Sequence, residues 1–264
     1  MQERFNKMCL AVIYVHAAPG LALLIAANRD EFHERPTRAL AEWADAPGVY
    51  GGRDAVAGGT WMGATRSGRF ALVTNYREPA AHVAPDAPSR GALVARFLRG
   101  ADTPEQYLRR LAPDMSRYAG FNVVVGDTDA VWYASNRGPA PRRLPPGRYA
   151  LSNHLLDSPW PKSVATQARI DAVLAQAGPL DDAALFSALR NRDVAHDDVL
   201  PQTGLSLERE RLLSSAFIIS PTYGTRSSTV YALRDDGHAR YVERRYDAGG
   251  EAIGEHTETW RTPQ

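Results

Sequence analysis

The sequence contains a single cysteine, Cys9, among its 264 residues. One cysteine excludes an intrachain disulfide and a cysteine-rich metal site, and it is compatible with a reducing compartment. The seven histidines are scattered without the spacing of metal ligands, so we predict no metal site and no bound cofactor. The formal net charge is only +1, which gives no indication of binding to nucleic acid or to an anionic membrane surface.

Repeats, coiled-coil heptads and charged tails are also missing, so nothing specific supports a structural or interaction protein. The hydrophobic fraction of 44% suits one large domain or two small ones. No shift in composition marks a boundary inside the chain. We therefore expect a short N-terminal extension over residues 1–7 and a single domain over residues 8–264.

The apolar stretch near the N-terminus has some features of a signal peptide, because Arg4 and Lys7 precede it. However, Pro19-Gly20 interrupts the stretch, and no small-residue cleavage signature precedes Asn28. Two short apolar runs around a Pro-Gly turn favour a β-hairpin. We therefore expect a cytoplasmic protein without a transmembrane segment.

Strands and helices are predicted in separate groups along the chain. The strands are predicted at residues 9–15, 21–27, 58–63, 69–76, 121–125, 131–134, 149–151, 216–220, 228–234, 239–246 and 255–260. Residues 58–63 and 69–76 are expected to form a second hairpin that turns at Ser67-Gly68. The helices are predicted at residues 89–99, from 103 onward with a capping box at Thr103, at 162–177, and at 181–190 with Asp181 as the cap. Residues 80–88 are expected to form a surface loop. Because the first two strands are continuously apolar, we expect a sheet covered on both faces. Segregated hairpins and helices favour an α+β layered sandwich over an alternating βαβ fold.

The lone cysteine directly follows an internal methionine, Met8. If translation began at Met8, removal of that methionine would make Cys9 the N-terminal residue. Its free α-amine, with an unperturbed pKa of about 7.7–8.0, could then act as the base for its own thiol. The competing interpretation is a small buried thiol in a strand, since cysteine is among the most buried residue types.

Polar clusters follow the predicted strands and could complete a site around Cys9. They are Asn28-Arg29-Asp30-Glu31, Thr74-Asn75-Tyr76, Ser152-Asn153-His154 and Tyr223-Gly224-Thr225-Arg226-Ser227-Ser228. An acyl-transfer site needs an oxyanion donor, a group that orients the α-amine and a cation that favours the thiolate. Asparagine suits the oxyanion donor, a carboxylate suits the group that orients the α-amine, and arginine suits the cation because it is permanently charged. Turn chemistry is the competing explanation for each cluster, because asparagine is common in turns.

Taken together, these motifs resemble the NRDE family, the proteins related to transport and Golgi organisation protein two. The matching pieces run in order over nearly the whole chain. They are Met8-Cys9, Asn28-Arg29-Asp30-Glu31, Arg35-Pro36, Gly51-Gly52-Arg53-Asp54, Gly58-Gly59-Thr60-Trp61, Thr74-Asn75-Tyr76, Ser152-Asn153, Pro159-Trp160-Pro161-Lys162 and Tyr223-Gly224-Thr225-Arg226-Ser227-Ser228-Thr229. The family looks like a branch of the N-terminal-nucleophile hydrolases, so the resemblance implies a four-layer αββα sandwich.

The resemblance also implies catalytic roles, because this branch is similar to the cholylglycine hydrolases and penicillin V acylases, which cleave amides with an N-terminal cysteine. The residues that receive these roles are Cys9, Arg29, Asp30, Asn75, Asn153 and Arg226. Cys9 matches the nucleophile, and Arg29 and Asp30 fall beside it. Asn75 matches the oxyanion asparagine, Asn153 matches the asparagine that orients the α-amine, and Arg226 matches the arginine near the thiol.

The chain departs from the family at its start. Relatives begin at Met-Cys, whereas seven residues precede Met8 here. Met8 could be the true start, which we favour, or the extension could be a propeptide removed by self-cleavage. If instead the extension stays, Cys9 keeps a peptide nitrogen and has no free amine to act as base.

Two functions follow from these observations. The first is a cysteine amidohydrolase that cleaves a C–N amide bond of a small molecule. The alternative is a non-catalytic carrier of an amphipathic ligand, because NRDE relatives are associated with haem trafficking and with lipid or acyl-CoA homeostasis. The sequence has no Cys-x-x-Cys-His attachment and no obvious axial pair, so any haem would be held loosely.

Overall fold

The computed structural model describes residues 9–78 and 87–263. The expected N-terminal extension, Met8 and most of the loop expected at residues 80–88 therefore lie outside the described residues. The strands are β1 (Cys9–Ala18), β2 (Leu21–Phe32), β3 (Thr37–Trp43), β4 (Ala46–Asp54), β5 (Met62–Thr65), β6 (Phe70–Asn75), β7 (Phe121–Gly126), β8 (Val131–Ser135), β9 (Arg142–Leu144), β10 (Gly147–Leu151), β11 (Tyr223–Arg234), β12 (His238–Tyr246) and β13 (Ala252–Arg261). The helices are α1 (Gly91–Arg99), α2 (Pro104–Leu111), α3 (Pro161–Leu174), α4 (Asp182–Leu189) and α5 (Leu207–Leu212), with short 3-10 helices at Ala112–Arg117 and Asp197–Val199.

The strands form two antiparallel sheets. The first sheet has the order β10-β1-β2-β11-β12-β13, and the second has the order β3-β4-β5-β6-β7-β8-β9. Both hairpins predicted in the N-terminal part are present, since β1 pairs with β2 and β5 pairs with β6. The order of the first sheet matters for function, because it places β1 between β10 and β2.

Three of the hydrophobic cores formed by the described residues separate four layers. The core between the two sheets contains side chains from both, such as Ile13 and Leu72. A second core lies between the second sheet and helices α1 and α2, where Phe97 is fully buried. A third lies between the first sheet and helices α3 and α4, where Phe186 is fully buried. The predicted α+β architecture, a four-layer αββα sandwich, is thereby confirmed.

Strand β1 shows why the first strands are continuously apolar. Side chains alternate between the two faces of a strand. Ala11 and Ile13 therefore enter the core between the sheets, whereas Val12 and Tyr14 pack toward α3 and α4. Both faces of the first sheet are covered at this strand, as the sequence predicts.

Two sequence-based expectations about strands are wrong. Residues 216–220 do not form a strand, because their backbone bonds to scattered partners: the Phe217 amide donates to the Asn191 carbonyl, and the Ile218 amide donates to the Thr225 hydroxyl. In addition, β2 does not end at residue 27 but continues to Phe32, so Asn28-Arg29-Asp30-Glu31 forms its last part and does not follow it. Strand β11, which begins at Tyr223, extends the ladder on the far side of β2. Strands β3, β4 and β9 were not predicted, and β9 lies where a turn over residues 139–147 was expected.

The helix starts follow the predicted capping chemistry. Thr103 accepts from the Gln106 amide in a capping box at the start of α2, and Asp181 accepts from the Ala184 amide at the start of α4. Helix α5 was not predicted, because its six residues are too short for a clear helical period. None of the helices within residues 9–78 and 87–263 has the length and apolar character needed to cross a membrane. The cytoplasmic location stays a prediction.

Candidate active site

Cys9 is the first residue of β1 and lines a cavity of about 550 Å³. Its residue surface is 7% exposed, so Cys9 is buried at the wall of this cavity. Three other residues with predicted catalytic roles line the same cavity: Arg29, Asp30 and Asn75. The fold thus gathers most of the predicted site around the lone thiol.

Asn153 holds the backbone nitrogen of Cys9. It follows β10, the strand beside β1, and its Oδ1 accepts from the Cys9 nitrogen at 3.3 Å. Its Nδ2 donates to the Asn75 carbonyl at 3.0 Å, which fixes which end of the amide faces Cys9. Ser152 supports the same contact, because its hydroxyl donates to the Cys9 carbonyl at 3.0 Å. The structure therefore brings Asn153 to the atom that the resemblance assigns it to orient.

Arg29 and Asp30 lie side by side on β2 but point to opposite faces of the sheet, as neighbours on a strand must. Arg29 is in register with Cys9 and lies 3.4 Å from Glu31 on the inter-sheet side. The Asp30 carboxylate points toward the helix layer, where its Oδ1 accepts from the Thr225 hydroxyl at 2.6 Å. Arg29 is consequently the residue of this pair whose charge reaches the inter-sheet face.

A buried lysine faces Asp30 from the helix layer, and the sequence analysis assigned it no role. Lys162 lies in the first turn of α3 and is 3% exposed. Burial lowers the pKa of Lys162 to about 8 and raises the pKa of Asp30 to about 6, while their opposite charges act against both shifts. The two groups act on each other through their charges only, because Lys162 Nζ has no hydrogen-bond partner among the described residues. Lys162 belongs to the family motif Pro159-Trp160-Pro161-Lys162. Because lysine side chains are normally exposed, its burial was not predicted from the sequence.

Arg226, the arginine predicted to lie near the thiol, is bound elsewhere. Its Nη1 donates to the carbonyls of Phe32 at 2.8 Å, His33 at 2.9 Å and Arg35 at 3.3 Å. The register of β11 against β2 shifts between Thr225 and Ser227, and such a bulge redirects the side chain. Among the described residues that line the cavity, Arg226 is absent. Its role at the thiol stays a prediction, and Arg29 is the arginine that the geometry favours.

Further charged residues line the cavity without having been assigned to it from the sequence. They are Glu31, Arg35, Arg53, Asp54, Arg90 and Glu243. Arg35 and Asp54 are bound to each other, with Nη2 and Oδ2 2.6 Å apart. Arg35 and Asp54 both belong to the family motifs quoted above, and these motifs were the sequence signal that could have placed them at the site. No sequence signal pointed to Arg90 or Glu243.

The thiol of Cys9 is protonated at neutral pH. Burial and, to a smaller extent, the charge of Asp30 raise the pKa of Cys9 to about 12, while the charge of Arg29 acts in the opposite direction. This value applies to a cysteine inside the chain, whose nitrogen is a peptide nitrogen. A thiol in this state is a poor nucleophile until a base removes its proton.

We expect the Cys9 thiol of the folded full chain to react slowly with iodoacetamide at pH 7. The rate should increase about tenfold per pH unit between pH 7 and pH 10, because only the thiolate reacts and the thiol pKa is about 12. Mass spectrometry of the alkylated chain measures the rate. As a control, the urea-unfolded chain should level off above an ordinary thiol pKa of about 8.5. A plateau below pH 9 in the folded chain would contradict the expectation.

The chain matches the family described as Transport and Golgi organisation 2 over residues 8–248. It is 35% identical to the Transport and Golgi organization 2 homolog of Mus musculus, in an alignment covering 84% of this chain and 86% of that protein. It is 37% identical to the homolog of Bos taurus, with the same coverage. It is 30% identical to Transport and Golgi organization protein 2 of Drosophila melanogaster, covering 89% of this chain and 91% of that protein.

Among solved structures, the chain is similar to a mutant of conjugated bile acid hydrolase from Clostridium perfringens. The TM-score is 0.46 at 11% identity, and the match covers 97% of this chain and 96% of that chain. It is also similar to the Caenorhabditis elegans ortholog of N-acylethanolamine-hydrolyzing acid amidase. In that case the TM-score is 0.40 at 11% identity, covering 84% of this chain and 92% of that chain.

Proposed function

The chain belongs to the Transport and Golgi organisation 2 family, and from this premise we propose that it is a cysteine amidohydrolase with Cys9 as its nucleophile. The substrate is a small molecule with a C–N amide bond, and the working form begins at Cys9. One observation carries the proposal: the backbone nitrogen of Cys9 is held by Asn153 at the edge of a cavity that the Cys9 residue itself lines.

The contact with Asn153 suits an α-amine that acts as a base. Asn153 Oδ1 accepts one hydrogen from the nitrogen, so it orients the amine without competing for its lone pair. The lone pair of a neutral amine then stays available for the thiol proton. With an unperturbed pKa of about 7.7–8.0, part of such an amine is neutral at pH 7.

The reaction proceeds by acyl transfer. The α-amine takes the thiol proton, and Sγ attacks the amide carbonyl carbon to form a tetrahedral intermediate. Asn75, which lines the cavity, stabilises the oxyanion, and Arg29 favours the thiolate. The C–N bond breaks as the protonated α-amine returns its proton to the leaving amine. Water then hydrolyses the thioester, with the amine again acting as base, and releases a carboxylic acid.

The experiment uses protein translated from Met8, with intact mass confirming that Cys9 is the first residue. A panel of N-acyl amides is incubated with it, and mass spectrometry detects the free amine and the acid. We expect product from at least one amide and none from the matched Cys9→Ala variant. Saturable binding of haem or acyl-CoA that Cys9→Ala leaves unchanged, without product from any amide, would favour the carrier function and refute the hydrolase.

A further inference from the structure

The arginines that line the Cys9 cavity differ in whether a carboxylate neutralises them. Arg29 lies 3.4 Å from Glu31, and Arg53 lies 2.7 Å from Asp45. Arg35 is bound to Asp54, as described above. Within residues 9–78 and 87–263, Arg90 is the arginine of this cavity for which no carboxylate lies within ion-pair distance.

Within the described part of the chain, the hydrogen bonds of Arg90 leave most of its donors open. Its Nη1 donates to the Gly120 carbonyl at 2.9 Å, whereas a guanidinium has five N–H donors. Two carboxylates act on it electrostatically, Glu31 and Glu78. Glu78 is already bound by Arg137 at 2.7 Å, and Glu31 lies against Arg29 and Arg35. Both carboxylates therefore already form ion pairs with other arginines.

Burial makes the unpaired charge of Arg90 costly. Desolvation lowers the pKa of Arg90 to about 10, and the opposite charge of an ionised Cys9 would act against this shift. Arg90 is partly buried, and a partly buried guanidinium without an anionic partner among the described residues is stabilised when an anion binds to it. Arg90 and Cys9 line the same cavity.

The backbone around Arg90 favours an anion as well. Arg90 precedes the nine-residue helix α1, whose first turn contains no acidic residue, and no side chain caps its N-terminus. Ser89, Arg90 and Gly91 all line the cavity, so the positive end of the helix dipole faces it.

Two glycines bring this helix end close to the family motif. A Cβ added to Gly59 would lie 2.5 Å from the Gly91 carbonyl carbon, which no side chain tolerates. The Thr60 amide in turn donates to the Gly91 carbonyl at 3.3 Å. Gly59 of the motif and Gly91 at the start of α1 therefore allow the two backbones to pack closely beside the cavity.

We propose that Arg90 and the N-terminal turn of α1 form an anion subsite, so that the substrate carries a carboxylate or phosphoryl group near its scissile amide. The apolar side chains of Trp61 and Val73, together with Ala119, line the same cavity and suit an acyl chain. The substrate class is thus an anionic amphiphile. That this anionic ligand is a substrate rests on the proposed function, whereas the subsite itself is tested by binding alone.

The test measures binding to the full chain carrying Cys9→Ala, in which turnover cannot occur. The probes are N-octanoylglycine, its uncharged methyl ester and octyl phosphate, titrated by calorimetry. We expect the acid to bind about ten- to a hundredfold more tightly than the ester, as charge-assisted hydrogen bonds predict. Arg90→Gln should remove this preference and leave the ester affinity unchanged. The relative affinity of octyl phosphate tells whether a phosphoryl or a carboxylate group is preferred.

Two further variants keep the result interpretable. Arg53→Gln, at an arginine of the same cavity that has a carboxylate partner, should keep the preference for the acid. Arg90→Lys retains the positive charge but not the planar guanidinium, so it should keep part of the preference for the acid. This variant still tests the subsite if a thermal melt shows that Arg90→Gln does not fold. Equal binding of acid and ester, no binding of any probe, or an Arg90 variant that keeps the full preference overturns the subsite. A chain that prefers the acid but cleaves no amide refutes the hydrolase alone.

Discussion

Protein that retains residues 1–8 should hydrolyse amides at least about 10⁴-fold more slowly than protein whose first residue is Cys9. With the extension in place, the nitrogen of Cys9 is a planar peptide nitrogen and has no basic lone pair. A positioned general base typically contributes about 10²–10⁴-fold to a rate. In addition, a thiol pKa of about 12 leaves on the order of one thiol in 10⁵ ionised at pH 7.

The comparison needs the full chain and the protein translated from Met8, each checked by intact mass, with the same amide substrate. Cys9→Ala in the shorter protein gives the background rate. The rate of the shorter protein should rise with pH through the α-amine pKa, unperturbed at about 7.7–8.0, because the neutral amine is the active base. Equal rates of the two forms, at any level above background, would show that the free amine is not the base.

The second large effect concerns stability. Glu210→Ala should lower the free energy of unfolding by about 3–5 kcal/mol, because it leaves the buried guanidinium of Arg77 without this carboxylate. The two side chains are 1% and 6% exposed, and Nη1 and Oε2 are 2.5 Å apart. Glu210 also accepts from the Thr203 amide at 3.1 Å, so the substitution removes more than one hydrogen bond.

This ion pair supports the candidate site as well as the fold. Arg77 stacks over the Trp160 ring at 4.5 Å, and its amide donates to the Asn153 carbonyl at 2.7 Å. The pair thus connects helix α5 to the residue that holds the Cys9 nitrogen. Loosening it should also shift Asn153.

Urea unfolding followed by circular dichroism measures the change. Glu208→Ala is the matched control, because Glu208 is exposed on the same helix, and it should cost less than about 1 kcal/mol. The double variant Arg77→Met with Glu210→Met should recover much of the loss, since apolar side chains often replace a buried pair at little cost. A Glu210→Ala protein as stable as the Glu208→Ala protein would show that the pair contributes little.

Sequence patterns predict most of the local structure. The apolar runs at β1 and β2, the turn between β5 and β6 and the capping residues Thr103 and Asp181 are all in place. Each of these signals acts over a few neighbouring residues, and for that reason it can be read from the chain. The strand predicted wrongly at residues 216–220 depends on distant residues instead. Its apolar side chains suit a strand, but the hydrogen-bond partners of its backbone come from segments that are not its neighbours in a sheet.

The candidate site was predicted only in part, for the same reason. Cys9 and Asn153 are separated by 144 positions, and their contact depends on β10 lying beside β1. The family resemblance supplied this pair, since no local pattern could. Arg226 and Arg29 were both plausible cations near the thiol. A bulge in β11 directs Arg226 to backbone carbonyls, and strand register places Arg29 opposite Cys9.

The sequence by itself determined the class of fold, the only thiol and the dependence of its chemistry on a free N-terminus, because these follow from composition and residue order. The tertiary structure alone decided the electrostatics around that thiol. Whether Lys162 is buried within the electrostatic influence of Asp30 depends on which elements pack together, and so does the absence of a carboxylate partner for Arg90 among the described residues. Charge is a property of the residue, but its pKa and its partners are properties of the environment that distant segments build around it.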